Sequence, residues 1–453
     1  MKGDFSRDTF DPHKHFRRVL QQQGRVQLDA DANEQTAILL HYLQTLATDL
    51  IGPYAGPKGS AGFEVGEIKD GDFSIGKGRY YVDGILCEND ANTTYQEQKD
   101  YPHPPDLKKD ASYLVYLDVW EHHITALEHD YIREKALGGP DTASRTKVVC
   151  QVKVETVTGT DTTSTCKTIR NDWLDKWVSL WQPANRGLLK IRVNPQEKML
   201  DPCLVAPDAK YRGPENQLYR IEIHAGGKIS ESANRVSEPA FKWSRDNGTV
   251  VSKVLSFSGK ELTVGKILGF EPGSWVELSN EEQELRGEPG CLAKLLRIDG
   301  NRFIIEPEIN QLKPEEIKNN EIWPTKVRRW DQRHDSDLTG GVIPIKEGKG
   351  EADWIKIEHG IEVLFVPAAG EISHQYRSGD YWLIPARVAT GYIEWPSEKS
   401  EEGVSTDGEN ASAREPFGIQ HHYAPLAVLT NGKPENCRCQ FQPIDSDCKN
   451  SRT

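Results

Sequence analysis

Apolar positions along this chain follow two periods. Between residues 33 and 51 they fall at Leu39, Leu43, Leu46 and Leu50, with Ala47 filling in. Steps of three and four residues place these side chains on one stripe of a helix. Asp29, Asp31 and Asn33 offer capping oxygens and favourable charge at its start, and Gly52-Pro53 ends it. The stripe is expected to pack on a β core. Pairing with a copy of itself is the alternative.

After Pro57 the runs become short and are bounded by Gly and Asp. Asp83-Gly84 between Tyr81-Val82 and Ile85-Leu86 predicts a hairpin. Residues 113–120 are almost continuously apolar and predict a buried central strand. Residues 146–157 and 217–223 predict two more strands. Residues 241–245 and 249–255 flank Asp246-Asn247-Gly248 and predict a second hairpin. Short strands at regular spacing continue over 262–268, 275–278, 303–305, 361–365, 381–385 and 427–429. The expected fold is mainly β (α+β), with several small antiparallel barrels or sandwiches and one N-terminal helix.

Shifts in texture suggest five segments. They are an extended arm plus helix over 1–60, a β-rich domain with a short helical insert over 61–235, and a small β domain over 236–330. A C-terminal β-rich segment over 331–430 and a polar tail over 431–453 follow.

Charge narrows the function. Lys and Arg total 56 against 69 Asp and Glu, a net of -13. Such a balance opposes phosphate contact, so nucleic acid is not an expected partner. No apolar run reaches the roughly 18 residues of a membrane-spanning helix. The first residues show no apolar signal-peptide core, so synthesis in the cytoplasm is expected.

Candidate chemistry is sparse. No phosphate-binding glycine loop, nucleophile elbow or HExxH helix is present. Neither catalytic residues nor a cofactor are expected. Glu121-His122-His123 and Glu128-His129-Asp130 form the nearest approach to a metal set. Adjacent histidines on a strand point to opposite faces, however, which favours a polar strand end. The same holds for His421-His422. Glu394 is the nearest candidate for a glycosidase carboxylate. Cys437, Cys439 and Cys448 cluster, yet the one-residue gap is short for zinc, so free tail thiols are expected. Trp173, Trp177 and Trp181 recur every four residues. They predict a short amphipathic helix packed on the core, with a sugar-stacking platform as the alternative.

The first 28 residues mix charge with isolated aromatics. They predict an arm that docks on a partner through Phe5, Asp8, Phe10, Phe16, Arg17, Arg25, Gln27 and Asp29. Docking on its own domain is the plainer alternative. Deleting residues 1–28 is expected to leave a folded protein.

Several ordered motifs also carry a resemblance. They begin with Met1-Lys2-Gly3-Asp4-Phe5-Ser6-Arg7-Asp8 and Gln23-Gly24-Arg25-Val26-Gln27-Leu28-Asp29. Asp118-Val119-Trp120-Glu121, Phe241-Lys242-Trp243-Ser244-Arg245-Asp246-Asn247-Gly248 and Gly379-Asp380-Tyr381-Trp382 follow. The chain resembles an uncharacterised bacterial domain family whose members occur beside genes for phage-tail-like contractile injection systems. The resemblance implies a structural or adaptor component of such a particle, at the baseplate, plug or fibre. It implies the other subunits as partners, a homo-oligomer, and a final place on the particle.

Overall fold

The computed structural model describes residues 1–108, 111–157, 165–194, 211–229, 238–314, 322–333, 338–370, 373–397 and 411–443. Cys203, Cys448, residues 398–410 of the charged, Ser/Gly-rich stretch over 397–413, and the tail beyond 443 lie outside them. The fold is mainly β, as the alternating patterns predict. It divides into two compact units, each assembled from separate stretches of chain.

The first unit comprises Met1–Asp8, Leu28–Ala30 and Pro183–Gly418. Its barrel closes in the order Val251–Ser258, Glu261–Val264, Arg302–Glu306, Cys291–Asp299, Trp275–Ser279 and Lys326–Trp330. Leu262, Val264, Val276, Leu278, Ala293, Leu295, Phe303, Ile305 and Val327 fill its interior. They occupy alternate positions, as the pleat requires. A four-stranded sheet holds Ile343–Pro344, Ala240–Ser244, Gln217–Ala225 and Tyr381–Ala386. A three-stranded sheet holds Ile355–Lys356, Ile361–Val366 and Leu188–Val193. Tyr219, Ile221, Phe241 and Trp243 share one core with Ile191, Val363 and Phe365.

The predicted hairpin over 241–255 does not form. Asp246-Asn247-Gly248 does turn, with Asn247 and Gly248 at positive φ. The strand before it pairs with Gln217–Ala225, and the strand after it enters the barrel. Turn chemistry fixes the reversal of the chain. It does not fix which strand each arm finds.

The second unit comprises Thr9–Gln27, Asp31–Gln182 and Ile419–Thr453. Its largest sheet runs Lys433–Asn436, His422–Thr430, Tyr113–Ile124 and Arg145–Thr156. Tyr113–Ile124 is central and its first eight residues are buried. Tyr113, Val115, Leu117 and Val119 pack against Phe63, Tyr80, Val82 and Tyr95. On the opposite face Leu114 and Tyr116 pack against Ile169, Trp173 and Trp177. Burial on both faces explains the unbroken apolar run. The Tyr81–Leu86 hairpin forms as predicted. Residues 422–430 pair on one edge with their sequence neighbour Lys433–Asn436 and on the other with this distant strand. Such pairing leaves no local mark in composition.

Cys166 and Cys437 form a disulfide, not the free tail thiol expected at 437. Main-chain pairing of the C-terminal strands carries Cys437 to the helix Cys166–Asn171. Cys439 is a free thiol.

Candidate assembly surface

The N-terminal segment splits between two roles. In the first unit, residues 1–8 sit on the polar face of the four-stranded sheet. Strand alternation sends Tyr219, Ile221, Phe241 and Trp243 to the core. It sends Arg220, Glu222 and Lys242 to the other side, where they are also buried. Lys242 and Glu222 are cross-strand partners.

Buried charge is costly unless it is paired. Arg220 Nε donates to Glu222 Oε2 at 2.5 Å, and Lys242 Nζ donates to Glu277 Oε1 at 2.5 Å. Trp330 Nε1 and the Gly290 amide complete the Glu277 carboxylate at 2.8 and 2.9 Å. Lys2 supplies a further cation, 2.9 Å from Glu222 Oε1. Burial alone would raise the Glu222 pKa. Lys2, Arg220 and Lys242 outweigh it and hold the carboxyl well below its usual range. Burial lowers the pKa of Lys2 itself.

Asn247, at the turn, reads the backbone of the segment. Its Nδ2 donates to Met1 O at 3.2 Å and to Gly3 O at 2.9 Å. The Met1 amine donates to Tyr381 Oη at 2.8 Å, and burial followed by Arg220 pushes its pKa down to about 4. Further along, the Ser6 amide donates to Asp29 at 2.8 Å, and Arg7 and Arg387 pair with Glu394. Met1–Asp8 therefore docks on its own unit. Asp29 holds Ser6, and Glu394 is engaged in ion pairs.

In the second unit, residues 9–27 follow a different course. Thr9 Oγ1 donates to Glu34, the Val19 amide donates to Gln35 at 2.9 Å, and Phe10 meets the His41 ring at 5.7 Å. Beyond these anchors the arm is open. Phe16, Leu20 and Val26 are 59%, 68% and 82% exposed. Arg17, Arg25 and Gln27 are exposed as well. Residues 12–28 contain no acid and include Lys14, Arg17, Arg18 and Arg25.

The helix Asp29–Ile51, here α1, reverses the predicted orientation. Ile38 faces inward at 6% exposure. Gln44 lies over the Asp83-Gly84 turn so closely that a Cβ on Gly84 would stand 2.1 Å from Gln44 O. The leucine stripe faces outward instead. Leu39, Leu40, Leu43, Leu46, Leu50 and Tyr42 are all exposed, Leu50 at 76%. Periodicity finds the stripe but cannot say which side of it the core takes.

The tryptophans lie elsewhere in the second unit. Residues 173–178 form a π-helix rather than a regular amphipathic helix. Trp173 and Trp177 are buried, and Trp181 stacks on Tyr116 at 3.9 Å. Trp173 and Trp177 pack in the core of this unit, with the partly buried Trp181 beside them. His421 Nδ1 lies 2.7 Å from the buried Asp118, which also receives Lys153 at 2.7 Å. Among the described residues no group of three or more His, Cys, Asp and Glu could hold a metal ion.

The chain is thus a mainly β protein of two units with an exposed apolar helix and an open basic arm. It belongs to DUF6519, a family of unknown function, whose model matches residues 1–167 and 155–451. No curated protein and no solved structure matches it.

Proposed function

We propose that the protein is a structural or adaptor subunit of a larger particle, with a phage-tail-like contractile injection system as the leading setting. The observation that carries this reading is the open arm over residues 9–27, anchored by Thr9, Phe10 and Val19 yet exposing Phe16, Leu20 and Val26. Three apolar side chains held in water on a chain rich in charge have a ready use in a protein contact. The arm's cations suit an acidic surface on the neighbour. The particle setting comes from the family resemblance of the ordered motifs.

The arm residues that serve are Phe16, Arg17, Arg25 and Gln27. Phe5 and Asp8 belong to the segment that the protein uses internally, and Phe10 anchors the arm to α1. The test is pull-down of the full chain from its native cell, with captured subunits identified by mass spectrometry. Sheath, tube or baseplate subunits should be captured, and should be lost from a Phe16→Ser, Leu20→Ser, Val26→Ser variant. Capture of none of them, or undiminished capture by the variant, overturns the reading.

A further inference from the structure

We propose that the outward face of α1 is covered by α1 of a second copy of this chain, running antiparallel across a two-fold axis. The inference rests on the reading of the protein as an assembly subunit, but concerns a different surface from the arm. Three observations carry it.

The first is spacing. Leu39, Leu43, Leu46 and Leu50 are separated by four, three and four residues. That alternation forms the seam of packed helices, where side chains of one helix fill the holes of another. Here the seam is in water.

The second is area. Five leucines and Tyr42, each roughly half exposed, present on the order of 600 Å² of apolar surface, at the top of the range for the largest patch on an ordinary monomer. This supplies most of the ~800 Å² per partner in a standard interface. A two-fold contact needs one self-complementary patch, and a leucine seam meets that condition.

The third is charge. Residues 35–48 contain no Asp, Glu, Lys or Arg, in a chain where 28% of residues are charged. Interface centres are depleted of charge in this way. The acids of the helix are Asp29, Asp31, Glu34 and Asp49, with no basic residue to offset them. A parallel partner would set Asp49 beside its own copy. In the antiparallel arrangement Leu39 faces Leu50, Leu43 faces Leu46, and Asp49 falls beside Leu40. Opposed helix dipoles favour the same choice.

The test is the mass of the full chain by light scattering across a concentration series. A dimer is expected at about 100 µM, well above a micromolar dissociation constant. Leu43→Glu and Leu46→Glu should give monomers that melt no lower than the native chain diluted far below its dissociation constant, since both side chains face outward in the single chain. A monomeric native chain, or a dimer indifferent to both substitutions, overturns the proposal. Should the glutamate variants melt early, cysteine cross-linking decides. A Leu39→Cys, Leu50→Cys protein should link between copies under mild oxidation, while Leu39→Cys alone should link no more than the native chain. Linking by Leu39→Cys alone, or no added linking by the pair, overturns the antiparallel contact. A monomeric native chain that still captures particle subunits removes this inference and leaves the proposed function standing.

Discussion

The ammonium of Lys2 lies 2.9 Å from the Glu222 carboxylate, on a sheet face where charge is buried and must be matched. The contact joins the start of the chain to a central strand of the first unit. Lys2→Met should lower stability by about 1–2 kcal/mol, discounted because the lysine side chain keeps some solvent. Removing residues 1–8 should cost more, since Asn247, Arg220 and Tyr381 lose their partners as well. Thermal melting of both variants checks this. An unchanged melting temperature after removal would show that the segment does not hold the sheet face.

Glu222→Gln should be the most damaging change at the same place. It leaves Lys2, Arg220 and Lys242 without their shared carboxylate, at a cost of about 3–5 kcal/mol at pH 7. The pH dependence has a defined sign. The folded-state pKa of Glu222 is depressed, so its contribution is complete above the unfolded value of about 4.5. It is lost as the pH falls through the folded value. The gap between native and variant proteins should therefore be constant near neutrality and narrow below about pH 4.5. Urea titrations at several pH values measure it. A gap that widens in acid contradicts the assignment.

The Cys166–Cys437 disulfide closes a loop of 271 residues in the second unit. Cys166→Ser should destabilise the oxidised protein by about 2–5 kcal/mol. Alkylation of the unfolded, unreduced protein should spare Cys166 and Cys437 while labelling Cys87, Cys150, Cys291 and Cys439, as peptide mass spectrometry can show.

Gly84 has φ +77° and lies beneath Gln44. Gly84→Val places a branched side chain in left-handed backbone and against the helix carbonyl. A loss of at least ~2 kcal/mol is expected. Faster hydrogen exchange in α1 than in the barrel would locate the damage. Equal protection in both would argue against the contact.

The short strands of the barrel were legible in the sequence because alternation and turn residues are local signals, while their closure into a barrel rather than a sandwich was not. The central strand was legible over 113–120 because burial on both faces leaves an apolar run; its continuation to Ile124 was not. Three further features were not. The outward turn of the leucine stripe depends on where Gly84 leaves room, far along the chain from Leu43. The pairing of residues 422–430 with 113–124 depends on strands from opposite ends of the second unit. The seat for residues 1–8 was hidden behind Asp246-Asn247-Gly248, which reads as an ordinary turn. The one available clue was the charge of Arg220, Glu222 and Lys242 inside otherwise apolar strands.

The first eight residues and the sheet that receives them are joined only by a long detour through the other unit. Chemically, the segment is a tethered peptide ligand. A chain lacking those residues could accept them back as a free synthetic octapeptide, converting a folding contact into a binding equilibrium. Titration calorimetry would then read the strength of the seat as an affinity, free of the rest of the fold.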